Sequence, residues 1–115
     1  MSKYSDTIYA LSTPSGKSAI AVIRISGKKV LKIFKQITKK RKITPNKTNL
    51  VFLTNKDTLI DQALVIYFKS PNSFTGEDVL EINCHGGLAV IDKIFKTLEG
   101  AGVRLAEQGE FTKRA

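Results

Sequence analysis

The run Ala19–Ser26 (AIAVIRIS) constrains the fold more than any other segment. Four of its residues, Ile20, Val22, Ile23 and Ile25, are β-branched, and such side chains pack best on a pleated surface. A nearly continuous apolar run of this length predicts a strand covered on both faces. A chain that holds such a strand must build a sheet around it and pack other elements on that sheet.

The flanking segments supply them. Thr7–Ser12 (TIYALS) reads as a short strand, and Thr13-Pro14-Ser15-Gly16 as a turn. After Ser26 or Gly27 as cap, Lys28–Thr38 has Val30, Leu31, Phe34 and Ile37 at helical spacing with lysines on the other side. Lys39–Lys47 is a basic loop. Asn49–Thr54 and Ile60–Phe68 read as a hairpin with the polar tip Asn55-Lys56-Asp57. Lys69–Gly76 is a loop, Asp78–Asn83 a strand, and His85-Gly86-Gly87 opens a second helix. Its core stripe is Ile91, Ile94, Phe95 and Leu98, and Gly100 and Gly102 end it. Val103–Ala106 is a last strand. The order β-β-α-β-β-β-α-β predicts an α+β (mixed α/β) fold: one mixed sheet with two main helices packed on it.

The 115 residues suffice for one domain, and 42% apolar content excludes a disordered tail. No apolar run reaches the ~20 residues of a membrane span, and the N-terminus lacks a secretory apolar stretch. One cysteine, Cys84, excludes an internal disulfide and fits a reducing cytoplasm; with a single histidine, His85, a metal cluster is not expected. Glu110–Ala115 ends without turn, cap or polar tail, which reads as a break inside a longer chain.

The net charge of +9 is unevenly spread. Residues 1–56 hold 13 Lys/Arg and one acid, and residues 57–115 hold 6 Lys/Arg and 9 acids. The densest stretch, Lys28–Lys42, has eight basic residues and no acid. This asymmetry fits a polyanionic partner such as tRNA, or a solvated lysine-rich surface.

Ser15-Gly16-Lys17-Ser18 imitates a phosphate-binding loop but fails its rule. That loop needs a first glycine at position 11, which is Leu11, and a helix after Ser18, where a strand follows instead. These residues are not expected to hydrolyse a nucleotide.

Five places hold candidate chemistry. By strand alternation Arg24 shares a face with Ile20, Val22 and Ser26, and Glu81 with Val79 and Asn83. A guanidinium and a carboxylate set in strands need partners, so they either bind a ligand or pair across the sheet. Cys84 and His85, as strand neighbours, point to opposite faces and do not form a nucleophile–base pair. His85-Gly86-Gly87 offers amides to an anion or is a turn needing glycine. The polar loop Asn72–Asp78, with Asn72 and Ser73, lines a ligand mouth or caps local turns.

Four segments, Asp6–Gly16, Ala21–Gly27, Ser70–Gly87 and Glu107–Ala115, resemble in order and spacing the N-terminal domain of the tRNA modification GTPase family called MnmE or TrmE. NSFTGEDVLEI..HGG and GEFTKRA carry most of the likeness, which covers nearly the whole chain except Lys39–Asp57. The resemblance implies a domain similar to the tetrahydrofolate-binding domain of aminomethyltransferase-type enzymes. It implies binding of 5-formyl- or methylene-tetrahydrofolate and homodimerisation. It also implies helical and GTPase domains beyond this chain, with GTP, Mg and K bound only in the latter. The implied setting is cytoplasmic, with tRNA and the flavin-dependent partner MnmG as partners in modifying carbon 5 of the wobble uridine. It further implies that Arg24 and Glu81 are folate contacts. A pterin ring N–H beside an exocyclic amine matches the two oxygens of one carboxylate, Glu81, while Arg24 takes a pterin carbonyl, the tail carboxylate, or Glu81 itself.

Overall fold

The computed structural model describes residues 4–12 and 20–115. Strands β1 (Ile8–Leu11) and β2 (Ile20–Ser26) precede helix α1 (Val30–Thr38). Strands β3 (Thr48–Asn55), β4 (Thr58–Phe68) and β5 (Val79–His85) follow, then helix α2 (Leu88–Gly100), strand β6 (Arg104–Leu105) and helix α3 (Glu110–Arg114). The expected order holds, with α3 added. The turn at 13–16 and the glycine-lysine segment at 15–18 lie outside the described residues.

The sheet order is β3-β4-β5-β2-β1-β6. All neighbours are antiparallel except β1 and β6, which run parallel, so this is a mixed six-stranded sheet in an α+β fold. The β3–β4 tip is tight: Lys56 and Asp57 have φ of 49° and 71°. Two left-handed residues in a two-residue loop suit the right-handed twist of the strands they join.

One face carries the core. Tyr9, Ala21, Ile23, Ile25, Val65, Leu80 and Ile82 point there with nearly no exposure, against Val30, Ile33, Phe34 and Ile37 of α1 and Ile91, Ile94 and Leu98 of α2. β2 is therefore buried on one side only. On its other face Ile20 is exposed, and Val22 and Arg24 are half-buried, which corrects the expectation of a strand covered on both faces. Both helices sit on the same side, leaving the opposite face to the short α3.

Two helix readings also change. Leu31 is exposed and Ile33 takes its place in the core stripe of α1. Neither Ser26 nor Gly27 caps that helix. Lys29 is its N-cap, and the Lys29 N–H donates to the Thr7 hydroxyl at 3.1 Å, a partner from β1's lead-in that local sequence does not reveal. In α2, Thr97 is buried and Phe95 only partly so; Phe95 reaches the Tyr9 ring at 4.8 Å between centroids.

Candidate ligand site on the open face of the sheet

Register decides what meets on the open face. Arg24 of β2 stands directly opposite Glu81 of β5, and both side chains project away from the helices. The Arg24 Nε–H donates to Glu81 Oε2 at 3.2 Å. The side chains keep 40% and 20% exposure, so the pair is open to solvent rather than sealed. Among the described residues this is the only contact either head group makes, leaving the terminal guanidinium nitrogens and Glu81 Oε1 with unused hydrogen-bonding capacity.

Arg24 also lines a cleft of about 500 Å³ with Ala10, Phe74, Phe95, Gln108 and Phe111. The volume suits a small organic ligand. Phe74 is 57% exposed there, an apolar ring turned to water at a cleft mouth. Glu81 does not line the cleft; it stands behind Arg24 and holds its guanidinium.

The remaining sequence candidates are dispersed. β5 is about 20 Å long by its rise per residue, with Asn72 and Ser73 before its start and His85 and Gly86 at its end. Ser73 Oγ donates to the Glu77 carbonyl at 2.5 Å, and the Ser73 N–H to Pro71 O at 2.9 Å, so this side chain closes its own turn. Asn72 is exposed, and it is Phe74 of the same loop that reaches the cleft. The His85 N–H donates to Asp61 Oδ2 at 2.8 Å and its Nδ1 lies 2.7 Å from Asp61 Oδ1, while Gly86 is buried beside the start of α2. Cys84 faces the core on the opposite side of the strand from His85. Its thiol donates to Ala21 O at 3.6 Å, and burial pushes it up to about 11, which keeps it protonated and unreactive.

The family model described as GTP-binding protein TrmE N-terminus matches residues 7–115. This chain belongs to the TrmE N-terminal family. Relatives named tRNA modification GTPase MnmE include that of Helicobacter pylori (strain HPAG1), 51% identical over 110 residues, 96% of this chain and 24% of the relative. The one from Pseudothermotoga lettingae is 51% identical over 112 residues, again 96% of this chain and 25% of the relative. That of Fervidobacterium nodosum is 50% identical over 116 residues, with the same two coverages. The chain spans about a quarter of the length of the curated relatives it matches.

In this TrmE N-terminal domain α3, whose Glu110, Phe111 and Thr112 line the cleft, is held by an ionic cluster that sequence reasoning missed. Arg114 of α3 is nearly fully buried, and its Nη1 lies 3.2 and 3.3 Å from the two oxygens of the equally buried Glu77. Its Nη2 reaches Asp6 Oδ1 at 2.5 Å, and its guanidinium stands 4.3 Å from the Tyr4 ring centroid. Arg104 bridges Asp6 at 2.7 Å and Glu110 at 2.6 Å. The Arg104 guanidinium holds the Glu110 carboxyl well down, to about 2, and also lowers Asp6. Glu77 in turn accepts from Ser26 Oγ at 2.6 Å, on the strand that carries Arg24. The signal was present for Asp61, an acid in IDQALV sharing parity with the buried Ala63 and Val65. No local pattern marks Glu77 as buried.

Proposed function

We propose that this chain is a reduced-folate-binding and dimer-forming domain, belonging to a GTPase that modifies the wobble uridine of tRNA. The observation that carries the folate reading is Arg24 in the lining of the Phe74–Phe111 cleft, with Glu81 on the adjoining strand paired to its guanidinium. The donor set fits the group. Glu81 has an oxygen to spare for a ring N–H or exocyclic amine, Arg24 has free donors for a carbonyl or tail carboxylate, and the aromatic side chains flank a flat ring. A bound 5-formyl- or methylene-tetrahydrofolate would supply the one-carbon unit; these residues bind and orient it. GTP hydrolysis with its Mg and K, and the flavin-dependent partner MnmG, belong to the whole protein.

The dimer reading rests on the same face. Ile20, Leu50, Phe52 and Leu64 are 44–59% exposed there. Leu50 pairs with Leu64, and Leu64 with Asn83, across three strands. A contiguous apolar sheet surface of this kind is matched by a second copy of itself in an isologous contact. Such a contact would set two Arg24–Glu81 pairs beside one interface.

Calorimetric titration of 5-formyltetrahydrofolate into the chain tests the ligand. Saturable heat is expected, and Glu81→Gln should weaken binding about tenfold or more, the worth of a hydrogen bond to a charged group. Unchanged affinity in both Glu81→Gln and Arg24→Met rejects this site.

A further inference from the structure

A second cleft, of about 380 Å³, lies where the end of α1, the β3–β4 tip and α2 meet. Gln36, Lys39, Asn55, Lys56 and Lys96 line it, and Lys93 borders an adjoining hollow shared with Lys96. Three lysines from three separate elements thus line one cleft, with a fourth in the hollow beside it.

Two of these lysines stand where the backbone disfavours them. Lys39, just past α1, has φ 62°, and Lys56, at the hairpin tip, has φ 49°. Both are left-handed positions where glycine or asparagine fits with less strain. Strained residues cluster at functional sites, and here two independent positions carry lysine to the same cleft.

The acids nearby do not close the site. Asp57 pairs with Lys39 at 3.0 Å and Asp92 with Lys96 at 3.0 Å, but the Asp57 side chain is 88% exposed and the Asp92 side chain 59%. Exposed ion pairs of this kind are weak, and a more highly charged anion exchanges into them. Among the described residues Lys56 and Lys93 have no ion-pair partner. On α1, Lys32 and Lys35 precede the cleft residues Gln36 and Lys39 by four positions, so their side chains neighbour the cleft along the exposed face of the helix.

We propose that this cleft is a phosphate site that seats the backbone of an RNA, with the α1 lysines extending the contact. It rests on the reading of RNA as partner and is independent of the folate site. The Asn-containing alternatives at Lys39 and Lys56 make the test sharp, because they relieve backbone strain while removing charge.

The experiment is fluorescence anisotropy of a labelled tRNA transcript against the full chain and its Lys39→Asn/Lys56→Asn variant across a potassium chloride series. Thermal melts accompany it, and calorimetry with inorganic phosphate is run at matched ionic strength. The expected result is an affinity loss of about tenfold, a salt slope shallower by about 1.4–1.8, and a melting temperature equal to or above the parent's. Inorganic phosphate alone is expected to give no saturable heat. An unchanged RNA affinity and slope in the variant overturns the cleft as the contact. Absence of RNA binding by the parent overturns the partner reading and this inference with it, leaving the folate titration untouched. Saturable phosphate binding lost in the variant while RNA binding persists overturns the RNA assignment in favour of a free phosphate.

Discussion

Gly27 shows how closely one residue can couple two elements. Its φ is 144°, and a Cβ there would lie 2.6 Å from Thr7 Oγ1 and 2.7 Å from the Thr7 backbone. The same Thr7 hydroxyl accepts the Lys29 N–H at the head of α1. Glycine is thus required for close approach as well as for conformation. Gly27→Ala is expected to cost about 2–3 kcal/mol in urea denaturation, by forcing Thr7 away and disturbing the α1 cap. Stability within ~0.5 kcal/mol of the parent would show that Thr7 yields freely. At Arg24 and Glu81 the balance differs. Their solvent-open pair contributes little to folding, so their substitution should be read in ligand affinity rather than in stability.

At the scale of elements, α3 is the instructive case. Five residues cannot hold a helix by themselves. Docking holds it, through Arg114 against Glu77 and Asp6 and through Glu110 against Arg104. Arg114→Met removes the buried guanidinium that pairs with Glu77, Asp6 and Glu110, and a loss of about 3–5 kcal/mol is expected in a denaturant melt. Adding Glu77→Gln should recover a good part of it. The pH dependence follows from the carboxylates. Glu110 sits at about 2 when folded, against an ordinary value near ~4.3, and Asp6 is lowered too. A depressed carboxylate gives stability that is full above the unfolded value and is lost as pH falls toward the folded one. α3 should therefore loosen between roughly pH 4.5 and 2, costing about 1 kcal/mol once solvent screening at the half-exposed Arg104 is allowed for. Hydrogen exchange of the Lys113 and Ala115 amides across that range checks this. An equal pH slope in Glu110→Gln would contradict it.

At the scale of the whole molecule, the two faces of the sheet are unequal. Both long helices cover one face, and the other keeps Leu50, Phe52, Leu64 and Ile20 in water. Leu64→Asp puts a charge at the centre of that surface, and sedimentation velocity should shift from dimer to monomer with the fold retained. A parent chain that sediments as a monomer at tens of micromolar contradicts the dimer reading. The putting of cations in the first half of the chain and acids in the second also acquires a spatial meaning. The lysines of α1 and the hairpin tip lie at the helical layer, while Glu77, Glu81 and Glu110 are engaged with arginines on the opposite side.

The fold was legible where the signal is local. Runs of β-branched residues and 3.6-residue spacing marked eight of the nine elements, because alternation and helical period are properties of neighbours along the chain. The face shared by Arg24 and by Glu81 was legible for the same reason. That the two residues stand opposite each other was not, since register depends on how β2 and β5 slide into place. Nor was α3, whose helix is held by long-range ion pairs, among them a buried guanidinium that meets Glu77 from a loop 37 positions away. The lysine cleft lies in the same class. Each lysine was visible in the sequence, but only the packing of α1, α2 and the hairpin tip brings their charges together. Short-range sterics and periodicity thus wrote the elements, and long-range pairing of charge and apolar surface chose the arrangement.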